Sequence, residues 1–209
     1  MMNSNPMKFA WIETSTGDPI EQLCIDERLL KEGRAIFRVW ESDRECVVVG
    51  YSSRLDRDVN LDACERSATP VLRRCSGGGA VLLGPGCLNY SLVLPMAREP
   101  LWHDVRYSFT WSMDRMLHAL ALPQLQREGD SDLAIEQRKV SGNAQRRMQH
   151  AILHHGTLLY DFDAASSERY LRVPQRQPRY RAGRSHRNFL GNLPLSADDI
   201  RQRLVAAWC

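Results

Sequence analysis

No CxxC pair occurs among the six cysteines, Cys24, Cys46, Cys64, Cys75, Cys87 and Cys209, of this 209-residue chain. Zinc-ribbon and thioredoxin-like patterns are therefore missing, and a chain of this length builds a core without disulfide staples. The cysteines read as buried free thiols. No apolar run approaches the roughly 20 residues of a membrane helix. Met1 to Phe9 lacks the basic and apolar segments of a secretory leader. A cytoplasmic protein with no membrane role is expected. The formal net charge is only +3, too small by itself to imply nucleic acid. The phosphate-loop ending GK[ST], the GxGxxG spacing, GxSxG and HExxH are all absent.

With 43% apolar and 25% charged residues, the composition is that of a globular protein. The length fits one domain spanning 1–209. The positive charge is unevenly spread, because Arg169, Arg172, Arg176, Arg179, Arg181, Arg184 and Arg187 crowd together. Two readings stay open: a solvated, partly mobile basic segment, or a surface for an acidic ligand or protein. Only Tyr170 and Tyr180 interleave with these arginines, so nucleic acid is not the expected partner.

Asp18-Pro19 offers an N-cap and a first helical position, and Gly33 a stop, with Ile20, Leu23, Cys24 and Leu30 near helical spacing between them. Ala35 to Trp40 and Cys46 to Val49 read as strands joined by a polar turn at Ser42-Asp43. A helix is predicted over Leu61 to Arg66, and a longer one opens at Pro100. Its apolar face would comprise Trp102, Val105, Phe109, Met113, Met116 and Leu120. Leu88 to Leu94, Asp132 to Ile135, the segment around Lys139, and Ala151 to Tyr160 read as further strands. Helices over Ser166 to Leu171 and Ser196 to Trp208 complete the chain. Strands come in runs with close turns, which predicts an α+β fold with a mixed, largely antiparallel sheet packed with helices.

Three segments carry chemistry. In Arg73-Arg74-Cys75-Ser76-Gly77-Gly78-Gly79-Ala80-Val81, two guanidinium groups stand beside three consecutive glycines. Glycines admit a ligand to the bare backbone, where turned N–H groups cradle anions, and arginine grips phosphate or carboxylate. In Lys139-Val140-Ser141-Gly142-Asn143-Ala144-Gln145-Arg146-Arg147, the lysine on its short strand could extend an ammonium into a cavity beside that turn. In His154-His155-Gly156-Thr157-Leu158-Leu159-Tyr160, the two histidines point to opposite faces, which makes a poor metal chelate. Gly156 inside this strand marks a close approach by ligand or backbone.

Taken in order, the three segments resemble the lipoate–protein ligase A family, within the biotin/lipoate ligase and octanoyltransferase superfamily. Its motifs RRxSGGGAV leading to LNYS, KxSGxAqR and HHGTLL all have counterparts here. Val47-Val48-Val49-Gly50 resembles the strand and glycine before the first motif, and Ser185 to Leu193 faintly echoes a late segment. The resemblance implies a class II synthetase-like catalytic domain. It implies ATP-dependent activation of lipoate to lipoyl-AMP, then transfer to a lysine of a lipoyl domain. Acceptors would be dehydrogenase E2 subunits or the glycine cleavage H protein. By the same resemblance Arg74, Gly77, Gly78, Gly79, Ala80 and Val81 bind nucleotide and acyl groups. Lys139 touches the acyl carboxylate and α-phosphate and is the catalytic residue. Asn89, Asp132, Gly142 and Gly156 support them. Mg²⁺ is expected with ATP, without identified ligands.

The chain departs from the family pattern at Leu82-Leu83-Gly84 and at Cys87 before LNYS. An accessory C-terminal domain is not apparent, so a separate accessory protein, or activity without one, is expected. The rival reading is an ATP-independent octanoyl or lipoyl acyltransferase. Such branches typically carry a cysteine nucleophile in the loop before the lysine motif or in the later half of the domain. Leu125 to Asp132 has no cysteine, and Cys75 and Cys87 lie in another segment. A non-catalytic lipoyl-binding homologue is the third reading.

Overall fold

The computed structural model describes residues 8–13 and 16–209. Most of the stretch inspected for a leader, residues 1–7, lies outside them. Among the described residues ten strands form two sheets. The larger has seven, in the order β1 (Ala10–Glu13), β2 (Ile36–Glu41), β6 (Cys87–Pro95), β10 (Ala151–Leu159), β9 (Arg138–Arg147), β8 (Asp132–Ile135) and β7 (Gln126–Glu128). Only the β1–β2 pair in it is parallel. The smaller sheet orders β4 (Val71–Arg73), β3 (Cys46–Val49) and β5 (Val81–Leu83), with β3–β4 parallel and β3–β5 antiparallel. The predicted mixed, largely antiparallel α+β architecture is the one observed. The strands at Cys46 and before Trp40 do not pair as neighbours; they enter different sheets.

Period-two alternation places the large sheet between two apolar layers. On β6, Leu88, Tyr90, Leu92 and Leu94 join a core with α4 (Val105–Leu120) and α7 (Ala197–Trp208). Cys87 and Val93 belong to the clusters of the other face, as Ala151 and Leu153 of β10 do to the one beside α1 (Pro19–Glu32). Trp208 anchors the last helix by stacking on Phe37, with centroids 5.4 Å apart.

The caps follow the predicted chemistry. Asp18 accepts from the Ile20 and Glu21 amides, and Gly33 ends α1 at φ 67°. Ser196 and Asp199 form a capping box on α7. Two helix faces differ from expectation. Pro100–His103 is a separate 3-10 turn, and α4 starts after its N-cap Asp104, leaving Val105 50% exposed and burying Ser108 and Ser112. On α1, Ile20 and Cys24 face outward while Gln22 and Asp26 are buried. The reason lies on β2, where Arg38 is wholly buried and ion-pairs with Asp26 at 2.5 Å. A buried guanidinium demands acceptors, so α1 turns polar residues inward.

Candidate active site

The turn between β4 and β5 leans on the large sheet and bounds a cleft of about 770 Å³. Arg74, Gly78, Gly79, Ala80, Val81, Asn89, Asp132, Lys139, Gly142 and Gly156 all line it; Gly77 does not. Side chains from both sheets thus converge on one volume of the size of a small-molecule site.

The turn is held from beneath. Gly78 sits at φ 93°, a conformation that favours glycine. A Cβ on Gly50 would collide with the Gly78 carbonyl, which explains the glycine that closes the Val47–Val49 strand. The Arg74 guanidinium faces inward and donates to the carbonyls of Val48, Gly77 and Gly79 at 3.1, 2.8 and 3.0 Å. Its Nε donates to Ser76 Oγ at 3.1 Å. Burial lowers its pKa to about 10. Arg74 therefore commits four of its five N–H donors to shaping the turn while still lining the cleft. Arg73 likewise donates to the Gly50, Tyr51 and Ser53 carbonyls.

Lys139 meets the turn from β9. Its Nζ lies 2.8 Å from Asp132 Oδ1, while Asp132 Oδ2 accepts from the Tyr180 hydroxyl, also at 2.8 Å. A register shift at Leu133/Ala134 breaks strict alternation on the β8–β9 ladder. A bulge reverses side-chain parity. Lys139 thereby shares a face with Gly142, where an added Cβ would lie 2.6 Å from Nζ. The absent side chain at Gly142 is space for the lysine. At Gly156, a Cβ would run into Asn143 Oδ1.

The adjacent histidines separate as the strand period predicts. His154 is buried against α4, between the Tyr90 hydroxyl and the Gln145 amide, each at 3.1 Å, and burial lowers its pKa to about 3. His155 faces the cleft, with Nε2 2.6 Å from Ser76 Oγ and Nδ1 3.5 Å from Asp26 Oδ2. Asp26 is missing from the motif reading because it lies on α1, far from all three segments.

The arginine-rich segment is only partly the solvated face that composition allowed. Arg169, Arg172, Arg176, Arg179 and Arg187 are exposed, but Arg181 is 4% exposed. Arg184 donates to the Gln137 and Tyr180 carbonyls, both at 2.7 Å. Residues 174–178 fold across the cleft, and Arg172, Arg181, His186 and Phe189 line it. No single motif signals this; a buried Arg181 emerges only when the segment closes on Phe189.

No cysteine lines the cleft. Burial pushes the Cys87 thiol far above its ordinary range, and raises Cys75, beside a separate small cavity, to about 11. Among the described residues no cluster of three or more His, Cys, Asp or Glu offers a resident metal site. Four carboxylates line the cleft, Asp26, Asp58, Asp130 and Asp132, and of these Asp26, Asp58 and Asp132 pair with Arg38, Arg57 and Lys139. This donor set suits a magnesium that arrives on phosphates and takes one or two carboxylates. No helix among the described residues is long and apolar enough to cross a membrane.

The family model for the lipoyl protein ligase A/B catalytic domain matches residues 18–208. A putative lipoate-protein ligase A of Aeropyrum pernix is 35% identical over 169 residues, covering 78% of this chain and 62% of its own length. Octanoyltransferase LipM of Staphylococcus epidermidis is 25% identical over 183 residues, covering 73% of this chain and 66% of its own. Other ligase relatives, from Mycoplasma pneumoniae and Bacillus subtilis, are covered over only 46% and 55% of their lengths. The chain thus spans about half to two thirds of the curated relatives it matches. Among solved structures, a bi-partite lipoate protein ligase of Thermoplasma acidophilum, reported with its E2 lipoyl domain, superposes with a TM-score of 0.81. It is 25% identical, with 96% of this chain and 82% of that one covered. A lipoate-protein ligase A bound with ATP gives 0.79 at 23% identity, over 96% of this chain and 84% of that one, a likeness of fold.

Proposed function

The chain belongs to the lipoyl protein ligase A/B catalytic-domain family, and from that premise we propose that it is an ATP-dependent lipoate–protein ligase. In this reading it activates lipoate as lipoyl-AMP and transfers the acyl group to a lysine of a lipoyl domain. The observation that carries it is the Lys139 ammonium, set against Asp132 in a cleft bounded by the glycine turn. Attack of a carboxylate on an α-phosphate brings two anions together, so a fixed cation and backbone donors lower the barrier.

The roles divide by position. Lys139 neutralises the charge developing between carboxylate and phosphate, and Asp132 with Tyr180 orients the ammonium. The backbone of Gly78, Gly79, Ala80 and Val81, buttressed by Arg74 through the Gly77 carbonyl, cradles the nucleotide and acyl end. Asn89, Gly142 and Gly156 leave room and polar contacts on the opposite wall. Asp130 would hold a magnesium on the phosphates, where the ion would offset their charge, since both Asp132 oxygens already serve Lys139 and Tyr180. The exposed Arg169, Arg172, Arg176, Arg179 and Arg187 would steer an acidic acceptor domain.

The octanoyltransferase reading draws support from the LipM relative. Against a cysteine-based transfer stands the lack of any thiol on the cleft wall. Purified protein incubated with lipoate, MgATP and a lipoyl domain should release pyrophosphate and modify the domain. Modification from an octanoyl-carrier protein without ATP would establish the transferase instead.

A further inference from the structure

We propose that Arg181 is a phosphate anchor of the nucleotide, an assignment that rests on the ATP-dependent reading above. Arg181 ends the 3-10 turn Arg179–Arg181 and is the buried arginine of the basic segment. Its Nε donates to the Arg184 carbonyl at 3.0 Å, and its guanidinium carbon lies 4.7 Å from the Phe189 ring centroid. Nη2 is sealed from solvent and meets no acceptor among the described residues. The carboxylate in its electrostatic reach is Asp132, whose two oxygens already serve Lys139 and Tyr180.

A buried guanidinium with an unmet N–H is destabilising, and its charge persists because arginine does not deprotonate in proteins. Such a group is retained where a ligand supplies the missing acceptor. Arg181 lines the same cleft as Lys139, Arg172 and Arg176. With Arg57 and Arg74 the lining holds six Lys and Arg side chains against the four carboxylates Asp26, Asp58, Asp130 and Asp132; that excess of two positive charges is more than one acyl carboxylate neutralises, whereas a polyphosphate carries several negative charges. The guanidinium fork also matches a pair of phosphate oxygens. Because Nη2 is closed off here, contact follows from a turn of the guanidinium or a local opening of residues 174–184.

Calorimetric titration of wild type, Arg181→Met and Arg181→Lys with MgATP, AMP and pyrophosphate tests this, alongside a thermal melt of each free protein. Loss of a charge-assisted contact should weaken MgATP binding by about 10- to 100-fold in Arg181→Met. The free variant should melt at or above the wild-type temperature, because an unmet buried donor has been removed; a purely structural arginine would lower it. Parallel weakening of pyrophosphate puts the anchor on the terminal phosphates, and weakening of AMP puts it on the α-phosphate. If Arg181→Met loses both stability and binding, Arg181→Lys decides: recovered MgATP affinity supports the anchor, and recovered stability without affinity overturns it. Unchanged MgATP affinity in Arg181→Met overturns the anchor alone. A wild type that binds no nucleotide and modifies a lipoyl domain without ATP overturns the ligase reading and the anchor with it.

Discussion

Ser76 Oγ lies 2.6 Å from His155 Nε2, joining the glycine turn of the small sheet to the central strand β10 of the large one. The proton directions form one consistent chain. Arg74 Nε–H donates to Ser76 Oγ at 3.1 Å; in the His155 tautomer that carries its proton on Nδ1, 3.5 Å from Asp26 Oδ2, Nε2 accepts from the Ser76 hydroxyl. Ser76 is fully buried, so this Ser–His–Asp array positions a backbone turn and does not present a nucleophile.

Removing the imidazole should loosen that turn. His155→Ala removes the imidazole from Ser76 Oγ and from Asp26 Oδ2, while Arg74 still donates to Ser76 and Arg38 still pairs with Asp26 Oδ1; the cost should be about 1–3 kcal/mol. Kinetics should show a raised KM for ATP together with a lowered kcat, and His155→Gln should recover part of both. A His155→Ala enzyme with wild-type constants would remove the positioning role.

Lys139→Ala should lower the rate of adenylate formation by roughly 10²–10³-fold, the scale for losing one electrostatic group aimed at the transition state. Circular dichroism and the melting temperature should stay near wild type, because the ammonium sits at the cleft wall. A single-turnover assay of pyrophosphate release checks this directly, and full activity would refute the role.

The two glycines of the opposite wall should respond differently. In Gly142→Ala the new methyl meets the flexible end of Lys139, so activity should fall with little change in stability. In Gly156→Ala it meets Asn143 and, at 2.9 Å, the Gly142 carbonyl. Overpacking against backbone should cost about 1–3 kcal/mol as well as activity. Paired urea titrations and turnover measurements separate the two outcomes.

His154 gives the fold an acid limit. Burial holds its folded pKa at about 3, below an unfolded value of 6.5. Below that unfolded value the denatured chain takes up a proton that the native state refuses. Stability from this group is thus whole above pH 6.5 and declines toward pH 3, at about 1.4 kcal/mol per pH unit. Burial, the largest cause, also lowers the His186 pKa, which adds to the same trend. Urea midpoints between pH 7 and pH 4 should show a shallower slope in His154→Gln.

Thiol chemistry distinguishes the two reaction classes. Exposed Cys24 and Cys209 should react with an alkylating reagent at pH 8, and buried Cys46 and Cys87 should not. Cys75, raised to about 11, should react slowly. ATP-dependent lipoylation should survive full alkylation of the exposed thiols, as followed by mass spectrometry and activity. Loss of activity that tracks one cysteine would favour a thioester route.

Much of the fold was legible because local rules agree with tertiary ones. Asp18, Gly33 and Ser196 cap helices where their chemistry predicts, and the alternation along Leu88 to Leu94 puts Leu88, Tyr90, Leu92 and Leu94 on one sheet face and Val93 on the other. The apolar stripes were less legible. Helical spacing favoured Ile20 as an inward residue of α1, but the buried Arg38 required Asp26 and Gln22 in place of apolar neighbours. Propensity cannot register a partner on another strand.

The sequence by itself determined the three motif segments, their order and the backbone freedom of the glycine turn, because these depend on residue type and local geometry. Tertiary structure alone decided where the cations point. Arg74 lines the cleft and also holds the turn to β3, donating to the carbonyls of Val48, Gly77 and Gly79. Lys139 reaches the cleft beside Gly142 through a shift in ladder register that residue types do not announce. Arg181 becomes a buried, partly unsatisfied charge only when its segment folds over Phe189. Side-chain direction and desolvation belong to the packed molecule, since both depend on neighbours brought from distant parts of the chain.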